Sequence, residues 1–300
     1  MWRAIECPYS LVYRGLWTGE RRRTIGTLYL VATPIGNLED ITLRALRVLS
    51  EVNLIAAEDT RHSGRLLTHF GITTPRISFH EHSDSARVTE ILDALARGDV
   101  ALISDAGTPG ISDPGFALVN AALAAGIPVS PVPGPSALAA AVPISGLAPD
   151  GFLYLGFLPR RKQERRALLA AVRDLAYPLV LYEAPHRLIS CLDDIDATLG
   201  DRPLAIAREL TKLHEEIVHT TVVAARDRYA IDAPRGEFVL IIGPEPQTES
   251  AISIDDPTVL DRLRERLESG DSPSAAARTV AKELGLPRSA VYERLAELKR

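Results

Sequence analysis

Asp99-Val-Ala-Leu-Ile103 is a short apolar run with the length of a buried strand, and Phe116 to Ala125 is an Ala- and Leu-rich stretch with the length of a helix. The segment joining them, Ser104 to Gly115, constrains the fold more than any other part of the chain. It holds three glycines, Gly107, Gly110 and Gly115, and two prolines, Pro109 and Pro114. An ordinary strand-to-helix connection takes about two to six residues, and this one is longer. Glycines let backbone N–H and C=O groups approach a ligand closely, and prolines stiffen the path between them. In open α/β sheets, ligands bind outside the carboxyl ends of the strands. The segment therefore reads as a binding loop, ahead of the plainer reading of a tight turn.

The flanking sequence repeats the strand–helix alternation. The segments Thr27–Ala32, Asn53–Ala57, Arg76–Phe79 and Ile127–Val132 read as further strands. Between them, Leu43, Leu46 and Leu49 are expected on one helix face, and Val88, Ile91, Leu92 and Leu95 fall at i, i+3, i+4 and i+7. This predicts a mostly parallel α/β domain over residues 27–148. The pattern changes near Pro149. Gly151–Phe157 alternates like a strand, a helix is expected from Arg160 through Leu175, and strands follow at Leu179–Tyr182, Leu204–Ala207, Glu216–Thr221 and Glu237–Ile242. Two of these lie close together with little helix between them, so residues 149–243 are expected to form a second α/β domain with a mixed sheet.

Residues 244–256 read as a linker, and 257–300 as three short helices. Ala281, Gly285 and Val291 have the small–Gly–apolar spacing of a helix-turn-helix, with Arg288, Ser289 and Tyr292 leading the last helix. Acidic and basic residues alternate there without a basic face, so a packing or docking tail is expected over a nucleic-acid reader. Residues 1–26, with the Arg21-Arg22-Arg23 run, are expected to be a flexible extension.

With a net charge of −5, no global basic field draws the chain to nucleic acid, and any such contact must be local. The two cysteines, Cys7 and Cys191, match no metal spacing and suggest a reducing compartment. No apolar run reaches the eighteen or so residues of a membrane span, and the amino-terminal stretch has no signal-peptide core, so a cytoplasmic protein without membrane contact is expected. There is no G-x-G-x-x-G after the first strand, no P-loop, no G-x-S-x-G elbow and no zinc-spaced Cys/His set. What remains is a set of strand-end loops rich in Gly, Pro, Ser and Thr. Such loops suit a ligand with a nucleoside and an amino-acid portion.

Six segments occur in order: Val31-Ala-Thr-Pro-Ile-Gly-Asn-Leu38, Ala57-Glu-Asp-Thr-Arg61, Ser104-Asp-Ala-Gly-Thr-Pro-Gly-Ile-Ser-Asp-Pro-Gly115, Val132-Pro-Gly-Pro-Ser-Ala137, Tyr182-Glu-Ala-Pro-His-Arg187 and Ala207-Arg-Glu-Leu-Thr-Lys212. Together they closely resemble the small-subunit ribosomal RNA methyltransferases of the tetrapyrrole methylase superfamily, over roughly Thr27 to Gly243, and the helical tail resembles that family's carboxyl-terminal module. The resemblance implies the two-domain class III methyltransferase fold. It also implies S-adenosylmethionine as donor, the 2′-hydroxyl of a decoding-centre cytidine in 16S rRNA of the small (30S) subunit as acceptor, and a homodimer. Carried over by motif, the donor contacts are Pro34 on the first loop, Asp105, Ala106, Gly107, Thr108, Pro109 and Ile111 on the second, Ser136 and Ala137 on the third, and Glu183 and Leu210 in the second domain. Thr108 stands where the tetrapyrrole enzymes carry an Asp, which argues against a tetrapyrrole substrate. A relative acting on a small molecule, or a nucleic-acid-binding regulator, are the alternatives.

Methyl transfer to a hydroxyl needs close placement of acceptor and methyl, and gains from a base that takes the proton. The candidates are Glu58 and Asp59 with Arg61, then His80, His82 and Glu183. The bland reading of Glu58-Asp59-Thr60-Arg61 is a helix cap with an internal ion pair. For RNA phosphates the candidates are Arg160, Arg161 and Lys162 in the basic run 160–166, with Arg187 and Lys212. A solvated helix face is an equally good account of that run.

Overall fold

A computed structural model describes residues 25–80, 83, 85–113, 115–245 and 254–297. Cys7, the Arg21–Arg23 run, His82 and Pro114 lie outside the described residues. The chain divides into two compact units, one ending at Pro244 and one beginning at Glu245.

In the first unit, β1 (Leu28–Val31), α1 (Leu43–Glu51), β2 (Leu54–Ala57), α2 (Thr60–His69), β3 (Arg76–Ser78), α3 (Ser85–Leu95), β4 (Val100–Ile103), α4 (Phe116–Ala124), β5 (Val129–Val132) and α5 (Ala137–Ile144) follow one another. The five strands form one sheet in the order β3-β2-β4-β1-β5, every pair parallel. Successive side chains of β4 go to opposite faces. Ala101 and Ile103 pack with Val48, Leu49 and Leu67 of α1 and α2, while Val100 and Leu102 pack with Leu95 and Leu118 of α3 and α4. Burial on both faces is why β4 is apolar without alternation.

Leu43 departs from expectation: it is 68% exposed, and the buried residues of α1 are Ala45, Val48 and Leu49. Steps of three residues fall about 60° short of a full turn each time, so a 43–46–49 stripe drifts off the core.

Within the same unit follow β6 (Leu153–Phe157), α6 (Lys162–Ala171), β7 (Leu179–Glu183), α7 (Leu188–Leu199), β8 (Pro203–Arg208), β9 (Glu216–Thr221), α8 (Val222–Ile231) and β10 (Phe238–Ile242). Their sheet has the order β6-β7-β10-β8-β9. β6 and β7 are parallel and the other pairs antiparallel, the mixed sheet expected from the sequence. The last strand, β10, sits in the middle. One face of this sheet is covered by α6, α7 and α8. The other packs Val180, Ala205, Val239 and Ile241 against Ala141 of α5, which joins the two sheets into one body.

α6 stops at Ala171, short of the expected Leu175. Beyond it, Val172, Arg173 and Leu175 donate their N–H groups three residues back, to Leu169, Ala170 and Val172. Such tightened turns end the helix and redirect the chain toward β7.

The second unit contains α9 (Pro257–Glu268), α10 (Pro273–Glu283) and α11 (Arg288–Glu297) around Val259, Leu263, Ala277, Val280, Val291 and Leu295. Ser272 caps α10 through its hydroxyl, and Gly285 (φ +64°) makes the left-handed turn into α11. Exposed pairs such as Arg262–Glu265 and Arg264–Asp261 lace its surface. Among the described residues, no helix is long and apolar enough to cross a membrane.

Candidate functional site

β4, β1 and β5 are neighbours in the first sheet, so the loops leaving their carboxyl ends converge. Thr33, after β1, and Gly107, after β4, exchange two backbone hydrogen bonds of 2.8 and 3.0 Å. Gly107 has φ +81°, a left-handed conformation that a side chain would strain. Thr108 donates its hydroxyl to the Pro135 carbonyl at 3.1 Å, which ties the same loop to the one after β5. Three loops are thus fixed to one another by hydrogen bonds of their own.

They form one wall of a cavity of about 410 Å³. Ile35, Ala106, Gly107, Thr108, Ile111, Ser136 and Ala137 line it from the first sheet, and Phe157, Tyr182, Glu183, Leu210 and Phe238 from the second. Of the donor residues expected from the motifs, Ala106, Gly107, Thr108, Ile111, Ser136, Ala137, Glu183 and Leu210 are on this wall. Pro34, Asp105 and Pro109 are set back from it. Pro34 and Pro109 are buried, and Asp105 braces the loop from behind. Its N–H donates to Glu58 Oε2 at 3.2 Å, and its carboxylate accepts from the Asp59 N–H at 3.1 Å.

The second sheet supplies the polar and aromatic features. Glu183 is 2% exposed; its Oε1 accepts from the Ala184 N–H at 2.9 Å and pairs with Arg187 at 3.2 Å. Its Oε2 is buried with no hydrogen-bond partner. The Glu183 side chain is fully buried on the helix-covered face of the sheet, with Leu179, Leu181 and Cys191, so Glu183 borders the cavity through its backbone and its carboxylate points away from it. Tyr182 Oη accepts from the Leu138 N–H at 3.0 Å, and its ring meets Tyr154 and Phe157 edge-on. Burial and the neighbouring Tyr154 push the Tyr182 hydroxyl well above the ordinary phenol range, so it stays protonated.

Backbone strain concentrates here. Ser112, Glu209 and Thr211 are the described non-glycine residues with left-handed φ, at 58°, 50° and 66°. Ser112 lines the cavity, and the other two flank Leu210. Strain of this kind costs on the order of 1–3 kcal/mol per residue and gathers at functional sites.

The proton-accepting candidates are sorted by their contacts. The Asp59 carboxylate caps α2 by accepting from the Arg61 N–H at 2.7 Å, which lowers its pKa. Arg61 is 92% exposed and lies 3.6 Å from Asp59, away from the cavity wall. Glu58 holds the Asp105 N–H. His80 is exposed, with its N–H on Ser83 Oγ at 2.9 Å. Among the described carboxylates on the loops of the first sheet, Asp113 lines the cavity. Burial raises its pKa to about 6, opposed by a hydrogen bond with Ser104 and reinforced by the Glu58 and Asp105 charges. Nothing in the sequence distinguishes Asp113 from its neighbours, because the difference lies in solvation.

The basic candidates are largely engaged within the protein. Arg187 donates to the Leu158 carbonyl at 2.6 Å besides pairing with Glu183, and Lys212 binds Glu209 at 2.9 Å and Glu237 at 3.0 Å. In the 160–166 run, Arg165 and Arg166 both bind Asp194, and Arg161 pairs with Glu164. Arg160 and Lys162 are exposed.

Residues 27–225 match the family model of the tetrapyrrole (corrin/porphyrin) methylases, and residues 254–299 match the RsmI C-terminal HTH domain. The ribosomal RNA small subunit methyltransferase I of Synechocystis sp. is 48% identical over 92% of this chain and 99% of its own. The protein of that name from Pseudomonas aeruginosa is 47% identical over 89% of this chain and 96% of its own. A solved uroporphyrin-III C-methyltransferase of Thermus thermophilus, complexed with S-adenosylhomocysteine, superposes with a TM-score of 0.51 at 21% identity, covering 73% of this chain and 97% of that one.

Proposed function

The chain belongs to the ribosomal RNA small subunit methyltransferase I family of the tetrapyrrole methylases, and on that premise we propose that it moves a methyl group from S-adenosylmethionine to the 2′-hydroxyl of a decoding-centre cytidine in 16S rRNA. The observation carrying the donor assignment is the cavity, walled by the backbone of Ala106–Thr108 on one side and by Tyr182, Leu210 and Val239 on the other. A molecule with an apolar thioether-like middle, amine donors and a nucleoside suits that wall. Ile35, Leu210 and Val239 would take the apolar part, and backbone carbonyls of the loops the amine. S-adenosylmethionine supplies an electrophilic methyl on a sulfonium, so the protein's task is placement and proton removal.

Placement falls to the three mutually bonded loops, which need little rearrangement to hold the donor. Proton removal falls to Asp113, the cavity-lining carboxylate whose raised pKa still leaves it ionised at neutral pH and more basic than an exposed Asp. Glu58, Asp59 and Arg61 hold the loop and the helix cap behind it. The acceptor is the small ribosomal subunit, and the enzyme works in the cytoplasm as a homodimer. Phe116 and Leu123, two turns apart on α4 and 76% and 58% exposed, supply apolar surface for pairing.

The test is methyl incorporation from labelled S-adenosylmethionine into small subunits, beside protein-free 16S rRNA. Label mapping to a cytidine ribose is expected. Tight donor binding without incorporation would point instead to a small-molecule acceptor.

A further inference from the structure

α2 places Arg61, Arg65 and His69 one turn apart on a single stripe, with Thr60, Gly64 and Thr68 beside it. β3 is the edge strand of the first sheet, and its Arg76 reaches over the same helix. A Cβ at Gly64 would lie 3.2 Å from Arg76 Nη2, so the glycine is what lets the guanidinium lie close against the helix. These residues together line a wide, open groove on the outside of the sheet. Arg61, Arg65, His69 and Arg76 are all exposed. Asp59, at the helix cap, is the acidic group near them, 3.6 Å from Arg61. Arg65 and Arg76 form no ion pair among the described residues. That contrasts with Arg165, Arg166, Arg187 and Lys212, whose charges are held by Asp194, Glu183, Glu209 and Glu237.

The groove is tied through the chain to the brace behind the site. α2 starts directly after Glu58 and Asp59, whose bonds to Asp105 brace the loop of the cavity wall. A strand lying along α2 would meet cations about 6 Å apart, the rise of four helical residues, with threonine hydroxyls beside them. Guanidinium forks bind phosphate oxygens in pairs, and an otherwise acidic chain with one such stripe contacts a polyanion there.

We infer that the α2–β3 arginine groove is a docking surface for the phosphate backbone of the RNA that presents the acceptor nucleotide. The inference rests on RNA being the acceptor, and it assigns the groove a positioning role outside the reaction itself. Binding of purified small ribosomal subunits is measured across a salt series for the native protein, for the double variant Arg65→Gln/Arg76→Gln, and for Arg47→Gln, a surface control on α1. Both groove side chains are exposed, so the double variant is expected to melt as the native protein does. Its affinity should fall at least tenfold at low salt, and the slope of log affinity against log salt should become shallower by about 1.4–1.8, the loss of two phosphate contacts. Affinity for S-adenosylmethionine and the turnover rate at saturating subunits should be unchanged. Unchanged affinity and slope would overturn the inference. So would weaker binding with an unchanged slope, which would put a ribosomal protein against the groove. Methyl transfer by the native protein is scored separately. If it binds subunits through the groove but methylates none, the proposed reaction falls and the docking surface stands. If it does not bind them, both fall.

Discussion

Ser112, on the loop after β4, and Tyr154, on β6, share a 2.7 Å hydrogen bond that joins the two sheets beside the cavity. Gly156 (φ +63°) makes room for it, since a Cβ there would lie 2.7 Å from Ser112 Oγ. Replacing Tyr154 by Phe should remove the bond and keep the ring packed on Tyr182. One such bond is worth about 1 kcal/mol, which corresponds to roughly a fivefold loss of S-adenosylmethionine affinity by calorimetry. An unchanged affinity would separate this bond from donor binding.

Asp113 gives a prediction in which activity and stability move in opposite directions. Its folded pKa is raised, to about 6 from 3.8, so its contribution to stability is present below about 4 and is lost as pH rises through 6. Asp113→Asn should therefore melt at or above the native temperature at pH 8, with the gap closing in acid. Its turnover should fall by 10²-fold or more, and the acid limb of the native pH–rate profile near 6 should vanish. A variant that loses stability at pH 8, or keeps its turnover, removes Asp113 from the proposed chemistry.

At Gly107 the conformation decides the outcome. A Cβ would have Ile35 Cγ2 at 3.4 Å, an ordinary contact, but φ is +81°. Gly107→Ala should cost about 1–2 kcal/mol in denaturant unfolding and weaken donor binding by displacing the loop from Thr33.

Asp194 tests the packing beneath α6. It is 1% exposed and binds both Arg165, itself 5% exposed, and Arg166. Although burial opposes it, hydrogen bonds from Arg166 and Arg165 hold its carboxyl below the ordinary range. Its stabilisation is therefore present above about pH 4 and lost as pH falls through the lowered folded value. Asp194→Ala leaves a buried guanidinium unpaired and should lower stability by about 3–5 kcal/mol at neutral pH. The deficit should shrink in acid.

The parallel sheet was legible because β1, β2 and β4 are apolar runs alternating with helical stretches, and the binding loop because glycines and prolines punctuate it. The far wall was less so. Phe157 and Phe238 read from the sequence as strand residues, and only the pairing of β10 between β7 and β8 brings Phe238 to the cavity. Charge was the least legible quantity. The 160–166 run counts as five cations, but Asp194, about thirty residues on, holds two of them. In the groove, Arg61, Arg65 and His69 have readable helical spacing, while Arg76 joins them only through the position of β3 at the sheet edge.

The central place of β10 also bears on how the protein is made. Synthesis proceeds from the amino terminus, and β10 is the final strand of its unit to leave the ribosome. Until residue 242 is available, β7 and β8 have no strand between them, and Glu237, Phe238 and Val239 are missing from the cavity wall. The first sheet can assemble early, but a nascent chain holds no complete binding site. Competence arrives in one step, when the last strand slots into the middle of the second sheet.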